Sequence, residues 1–267
     1  MRRLLTIDCF GARLGATVDG VGGRTGLLFV TGGTQTRVGS HRMFERLAGA
    51  LAREGYPCLR FDRRGAGDSE GADPGFRGSA LDIEAAAAAF RREVPGLKRI
   101  FGVGLCDGAT ALALHGAASD LQGMVLVNPW LVEAAANEPA PAAVRSHYRS
   151  RLASPEAWKR LITGSVSLRK LLRGLVASAS VKSSALAAEA AQALRDGAIP
   201  AAVILAEGDA TAIAAASELK KPQFIGLPLF VQTISSDSHT FARPGDGDRL
   251  LAACLDAVRR LEGPGRP

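Results

Sequence analysis

Cys106 stands in Gly104-Leu105-Cys106-Asp107-Gly108, where two glycines flank a thiol that could act as a nucleophile. Upstream, Arg99-Ile100-Phe101-Gly102-Val103 is β-branched and aromatic, and downstream Ala109 to Ala118 is rich in alanine and leucine. That order predicts a strand, a sharp turn and a helix. The turn would project the thiol into a cleft, and the glycines leave room for its strained backbone. The helix N-terminus adds free N–H groups and a positive dipole end, which favour a thiolate. The chain has four cysteines, and only Cys106 has such surroundings. Cys9, Cys58 and Cys254 lie in apolar stretches and read as small buried core residues of a protein from a reducing compartment. Their spacing matches no zinc pattern, so no metal is expected, and nothing in the sequence asks for a cofactor.

A thiol nucleophile needs a base, and the base needs an orienting group. Among four histidines, His239 lies in the polar loop Ser235-Ser236-Asp237-Ser238-His239, just after the last strand-like segment, from where an imidazole can swing towards Cys106. His41, His115 and His147 read as capping, packing or substrate contacts, and His41 is kept as a candidate substrate-binding residue. The acid is expected in Glu207-Gly208-Asp209-Ala210, after the strand Ala201 to Ala206. Asp209 leads, with Glu207 and Asp237 as competitors. A tetrahedral oxyanion needs two backbone donors. One would be the N–H of Asp107, and the other Gly33 or Thr34 in Thr31-Gly32-Gly33-Thr34-Gln35, between which the sequence does not choose. That loop lacks the Lys-Ser/Thr of a phosphate-cradling loop and a full G-x-G-x-x-G pattern.

The elements that must position these residues are short apolar strands alternating with helices. Leu4 to Cys9 and Arg13 to Val18 predict an antiparallel pair. Gly26 to Val30, Tyr56 to Phe61, Arg99 to Val103, Gly123 to Asn128, Ala201 to Ala206 and Leu229 to Ile234 predict further strands. Phe44 to Glu54, Leu81 to Arg92 and Asp248 to Leu261 predict helices. This alternation implies an α/β fold with a mostly parallel central sheet covered on both faces. From Trp130 to about Arg195 strand signals vanish and the chain becomes basic and Ala/Ser/Leu-rich. The expected organisation is therefore a core of 1–129 and 196–267 with a helical cap inserted at 130–195. Asp62-Arg63-Arg64-Gly65-Ala66-Gly67-Asp68-Ser69 predicts a tight turn fixed by an Asp62–Arg64 pair.

At 267 residues the chain can bury a full core, and its 47% hydrophobic and 22% charged content is that of a globular protein. No stretch reads as a membrane span or signal peptide, which gives a cytoplasmic location as the default. The net charge of +7 concentrates between Arg145 and Lys182, where Glu156 is the only acid. No aromatic-basic module accompanies that segment, so nucleic acid is not expected as a partner. Arg169, Lys170 and Arg173 instead suggest contact with an anionic substrate head group, or peripheral contact with an acidic membrane surface.

Taken together, the Cys106 turn, the D-x-R-G-x-G-x-S-like stretch after Phe61, the late Asp209 and the late His239 resemble an α/β-hydrolase over essentially the whole chain. More narrowly, Gly32 to Arg42, Gly104 to Ala109 and Gly208 to Ala212 resemble the exosortase-A-system-associated hydrolases, bacterial proteins found with exopolysaccharide and protein-sorting gene sets. Thr34 and Thr36 depart from the proline or tyrosine expected after Gly32-Gly33. The resemblance implies an α/β-hydrolase fold and a cytoplasmic hydrolase. The residues suggest cleavage of a small-molecule carboxylic ester or thioester through Cys106, His239 and Asp209. Two other readings stay open: an acyltransferase on the same scaffold, and a non-catalytic protein that binds a lipid or partner.

Overall fold

The computed structural model describes residues 1–133 and 184–263. Its strands are β1 (Arg2–Cys9), β2 (Ala12–Asp19), β3 (Thr25–Val30), β4 (Cys58–Phe61), β5 (Arg99–Leu105), β6 (Gly123–Val127), β7 (Ala201–Ala206) and β8 (Leu229–Ile234). They form one eight-stranded sheet in the order β1-β2-β4-β3-β5-β6-β7-β8. β1 pairs antiparallel with β2, and β2 with β4; all remaining pairs are parallel. The hairpin between β1 and β2 turns on Phe10 and Gly11, both at positive φ (50° and 89°), as the twist of a two-residue connection requires.

Every residue of β3, β4, β6 and β7 is buried, because helices cover both faces of a parallel sheet. The described helices are α1 (Met43–Arg53), α2 (Ala80–Glu93), α3 (Asp107–His115), α4 (Ala185–Gly197), α5 (Ala210–Glu218) and α6 (Asp246–Glu262). Successive strand residues face opposite sides. Leu27 and Phe29 pack with Phe44, Leu47 and Leu51 of α1 and Leu250, Cys254 and Val258 of α6. Leu28 and Val30 face the other core, with Ile83 and Phe90 of α2, Leu112 of α3, Ala190 and Leu194 of α4, and Ala215 of α5. Burying a side chain such as Leu112 or Phe90 contributes about 1.5–3 kcal/mol.

Two expectations change. The insertion expected at 130–195 does not include its last helix as cap: α4 places Leu186, Ala187, Ala190, Ala191 and Leu194 in the buried core. Its apolar stripe at helical spacing needs a sheet face, and it finds one. The rest of that insertion from residue 134 to 183, with His147, Arg169, Lys170 and Arg173, lies outside the described residues. The turn after β4 is also fixed differently. Asp62 is fully buried and ion-pairs with Arg37, whose backbone N–H it also accepts at 2.5 Å, while it takes the Asp68 N–H at 3.0 Å. Arg64 turns away to Asp82, at 2.5 Å.

A second buried pair ties the hairpin to the parallel strands. Arg60 of β4, 2% exposed, gives Nε and Nη2 to Asp19 of β2 at 2.9 and 2.8 Å. Its Nη1 donates to the Arg37 carbonyl at 2.8 Å.

Candidate active site

Cys106 occupies the turn between β5 and α3 with φ 58° and ψ −125°. A cysteine at positive φ is strained by about 1–3 kcal/mol and persists only where its surroundings over-determine it. Here its N–H donates to the Val127 carbonyl (3.0 Å). Its own carbonyl accepts the N–H groups of Ala109, Thr110 and Trp130, at 3.1, 3.2 and 3.2 Å. Close approach of the backbones explains the flanking glycines. A Cβ on Gly104 would meet the Gly108 carbonyl and the Ala109 nitrogen at 2.7 Å, and one on Gly108 would meet the Val30 carbonyl oxygen at 2.5 Å. Among the cysteines, Cys106 alone is partly exposed; Cys9, Cys58 and Cys254 are buried. Burial pushes the Cys9 thiol up to about 11 and the Cys254 thiol up to about 12, and holds Cys58 well above the ordinary thiol range.

His239 follows β8 and meets Asp209, which follows β7. The His239 Nδ1 and Asp209 Oδ2 are 3.0 Å apart. The same Asp209 oxygen accepts the Ala212 N–H at 2.9 Å, so Asp209 caps α5 as well as holding the imidazole. The hydrogen bond to Asp209 comes first, and one to the Cys106 side chain second, in pushing His239 up to about 10 against the opposing effect of burial. His239 is therefore joined to Asp209 by a hydrogen bond, and the Cys106 side chain is among the groups that act on its titration. The competing acids look elsewhere: Asp237 pairs with Arg243 at 3.0 Å, and Glu207 accepts the Thr233 hydroxyl at 3.4 Å.

The other described histidines, His115 and His41, have different surroundings. The His115 Nε2 lies 3.0 Å from the Arg77 carbonyl, and burial lowers its pKa. His41 is exposed at φ 54°. It lines a cavity of about 540 Å³ with Met43, Leu47, Thr240, Phe241 and Leu250, next to the stretch that carries His239.

Sequence reasoning left Gly33 and Thr34 as equal candidates for the second backbone donor. The Gly33 N–H is already engaged, donating to the Asp107 Oδ1 at 2.5 Å. The N–H groups of Asp107 and Thr34 have no acceptor among the described residues. Asn128 is a residue the sequence did not single out. It is fully buried at the end of β6 with φ 42°. Its side chain donates to the His239 carbonyl (3.3 Å) and accepts the Ala206 N–H (2.9 Å), tying together the ends of β6, β7 and the histidine loop. Its only sequence signal was a polar residue, followed by proline, closing an apolar strand. Among the described residues no group of three or more His, Cys, Asp or Glu side chains could hold a metal ion, and no helix is long and apolar enough to cross a membrane.

Known proteins were compared with this geometry. No curated protein matches the chain in sequence. Among solved structures, an esterase of Pyrococcus furiosus superposes with a TM-score of 0.67 at 15% identity, covering 97% of this chain and 91% of that one. A serine hydrolase without a lid from Xanthomonas campestris gives 0.61 at 19% identity, over 100% and 97% of the two chains. The protein Est1E of Butyrivibrio proteoclasticus, solved with ferulic acid bound, gives 0.61 at 15% identity, over 96% and 99%. At these identities the likeness is one of fold. Residues 27–259 match the model of the alpha/beta hydrolase family. With that match spanning most of its length, the chain belongs to the alpha/beta hydrolase family.

Proposed function

We propose that the protein cleaves a carboxylic ester or thioester through a Cys106 acyl-enzyme, with His239 as base and Asp209 as its orienting partner. The observation that carries this reading is the position of His239, held by Asp209 on Nδ1, with the Cys106 side chain among the groups that raise its pKa. Its pKa raised to about 10 beside Asp209 and Cys106, His239 holds the proton taken from Cys106 as an imidazolium while the sulfur attacks the acyl carbon. As the tetrahedral adduct collapses, His239 returns the proton to the leaving alcohol or thiol. It then takes a proton from water, whose oxygen attacks the thioester and releases the carboxylic acid and the Cys106 thiol. The Asp107 N–H, at the first turn of α3, is a helix-start donor suited to the oxyanion, and like the Thr34 N–H, the second donor, it has no acceptor among the described residues.

The likeness of the fold to an esterase, and to a protein solved with ferulic acid bound, favours the ester class. On the same reading the protein is a cytoplasmic relative of the exosortase-A-system-associated hydrolases. The insertion expected at 130–195, apart from α4, caps the site, and Arg169, Lys170 and Arg173 meet an anionic head group. His41 contributes to the substrate cleft from the cavity beside Thr240.

Steady-state turnover of a panel of aryl esters and acyl thioesters by wild type, Cys106→Ala and His239→Ala tests the reading. Wild type alone should turn over. Activity retained in Cys106→Ala would overturn it. Added alcohol acceptors should leave the carboxylic acid as the main product, whereas a switch to transfer products would make the protein an acyltransferase.

A further inference from the structure

The side chain of Asp107 carries a negative charge to the place where the reaction needs a donor. Its Oδ1 accepts the Gly33 N–H at 2.5 Å. A Cβ on Gly32 would meet that same oxygen at 2.6 Å and the Cys106 Cβ at 3.3 Å, so the carboxylate lies on the Gly32-Gly33 backbone, on the side of the nucleophile. Asp107 is only 7% exposed. Behind it stands Arg63, 2% exposed. The Arg63 Nη2 donates to the Gly33 carbonyl at 2.5 Å and lies 4.0 Å from the Asp107 Oδ2. Its Nη1 donates to the Ser79 hydroxyl at 3.1 Å, and its Nε is buried with no partner. Among the described residues Asp107 is the only carboxylate within ion-pair distance of Arg63.

A buried guanidinium and an inward-pointing N–H make an anion site, and here the occupant is part of the chain. We propose that the Asp107 carboxylate is a displaceable internal anion. It fills the site made by the Gly33 N–H and Arg63, and it must rotate out before that donor can serve the oxyanion of a bound acyl group. This rests on the Cys106 acyl-enzyme reading. With the carboxylate in place, the oxyanion forms beside a like charge and finds only the Asp107 and Thr34 N–H groups. With it rotated away, the Gly33 N–H is released and Arg63 becomes the nearest charge. The vacated site would accept a small external carboxylate such as formate, which matches the lost group in charge and size. A buried charge stripped of its partner gives that exchange its driving force.

The test uses the full chain as wild type, Asp107→Ala and Asp107→Asn, with p-nitrophenyl acetate as acyl donor and sodium formate as the probe anion. Pre-steady-state acylation of Cys106 should be roughly 100- to 1000-fold faster in D107A than in wild type, the range expected for one oxyanion donor. D107N should fall between, because a neutral amide holds the Gly33 N–H less strongly than a carboxylate. Formate should slow D107A saturably and raise its melting temperature, while leaving wild type unchanged at equal ionic strength. Acylation of D107A no faster than wild type, or formate acting alike on both proteins, would overturn the proposal. If no form acquires an acyl group, the acyl-enzyme reading and the gating role fail together. The formate-dependent melting of D107A then still decides on the anion site, because it needs no chemistry. Should D107A not fold, D107N carries the kinetic arm, and equal rates in D107N and wild type would sink the idea.

Discussion

Replacing Asp209 with asparagine separates its two duties. Asparagine keeps an oxygen for the Ala212 N–H, now 2.9 Å from Asp209, so the cap on α5 survives. It removes the negative charge 3.0 Å from the His239 ring. That ring is pushed from its ordinary 6.5 to about 10, with the Asp209 hydrogen bond as the leading cause and the Cys106 bond next. A pKa raised on folding adds stability that is fully present below pH 6.5 and is lost as the pH climbs to about 10. At ~1.4 kcal/mol per tenfold change in proton affinity, the full rise corresponds to ~5 kcal/mol. The His239 side chain is 33% exposed, and solvent screening cuts the usable part to about 1–2 kcal/mol. For a chain of this size that is a melting-temperature difference of roughly 3–6 °C. Thermal unfolding of wild type and Asp209→Asn from pH 6 to pH 10.5 reads it directly. The gap should be widest near pH 6 and shrink to less than half by pH 10.5. A gap that stays constant or widens with pH would refute the claim that Asp209 stabilises a protonated His239.

Three further outcomes follow from the same packing. Asp19→Ala leaves Arg60, 2% exposed, without its carboxylate; breaking such a pair costs about 3–5 kcal/mol, to be read from the urea midpoint. Gly32→Ala would place a Cβ 2.6 Å from the Leu105 carbonyl and from the Asp107 carboxylate. The loop must then move off the Cys106 turn, and turnover of the proposed ester substrates should fall about 10- to 100-fold with little change in melting temperature. Iodoacetamide on the native protein at pH 8 should label Cys106 alone, because burial holds Cys9 near 11 and Cys254 near 12 and raises Cys58 well above the ordinary range; peptide mapping checks it.

The strands were legible because a buried parallel sheet writes each one as a short apolar run. All six expected parallel strands begin and end within two residues of the observed ones; β5 ends two residues later than expected, at Leu105, the last before Cys106. Cys106, His239 and Asp209 were legible for the same reason, since each sits just past a strand end. Long-range polar partners were not. Asn128 reaches His239 across 111 residues and Arg37 reaches Asp62 across 25. No periodicity encodes such pairs, so Asp62 was matched to its near neighbour Arg64 instead. The use of the Asp107 side chain was hidden likewise, because a residue valued for its backbone N–H gives no sign of where its carboxylate goes. Helix α5 was not assigned from the sequence, since its alanines carry no strong apolar stripe. Helix α4 was assigned to the cap because its composition continues that of the preceding segment, while its placement is set by the sheet face it covers.

The central claim is that Cys106 carries the acyl group, and intact-protein mass spectrometry after brief exposure to acyl thioesters and activated esters tests it most directly. A single added acyl mass is expected on wild type, absent from Cys106→Ala, and decaying in water as free acid appears. In His239→Ala the adduct should form far more slowly. An adduct of equal yield on Cys106→Ala, or turnover with Cys106 replaced by alanine, would contradict it.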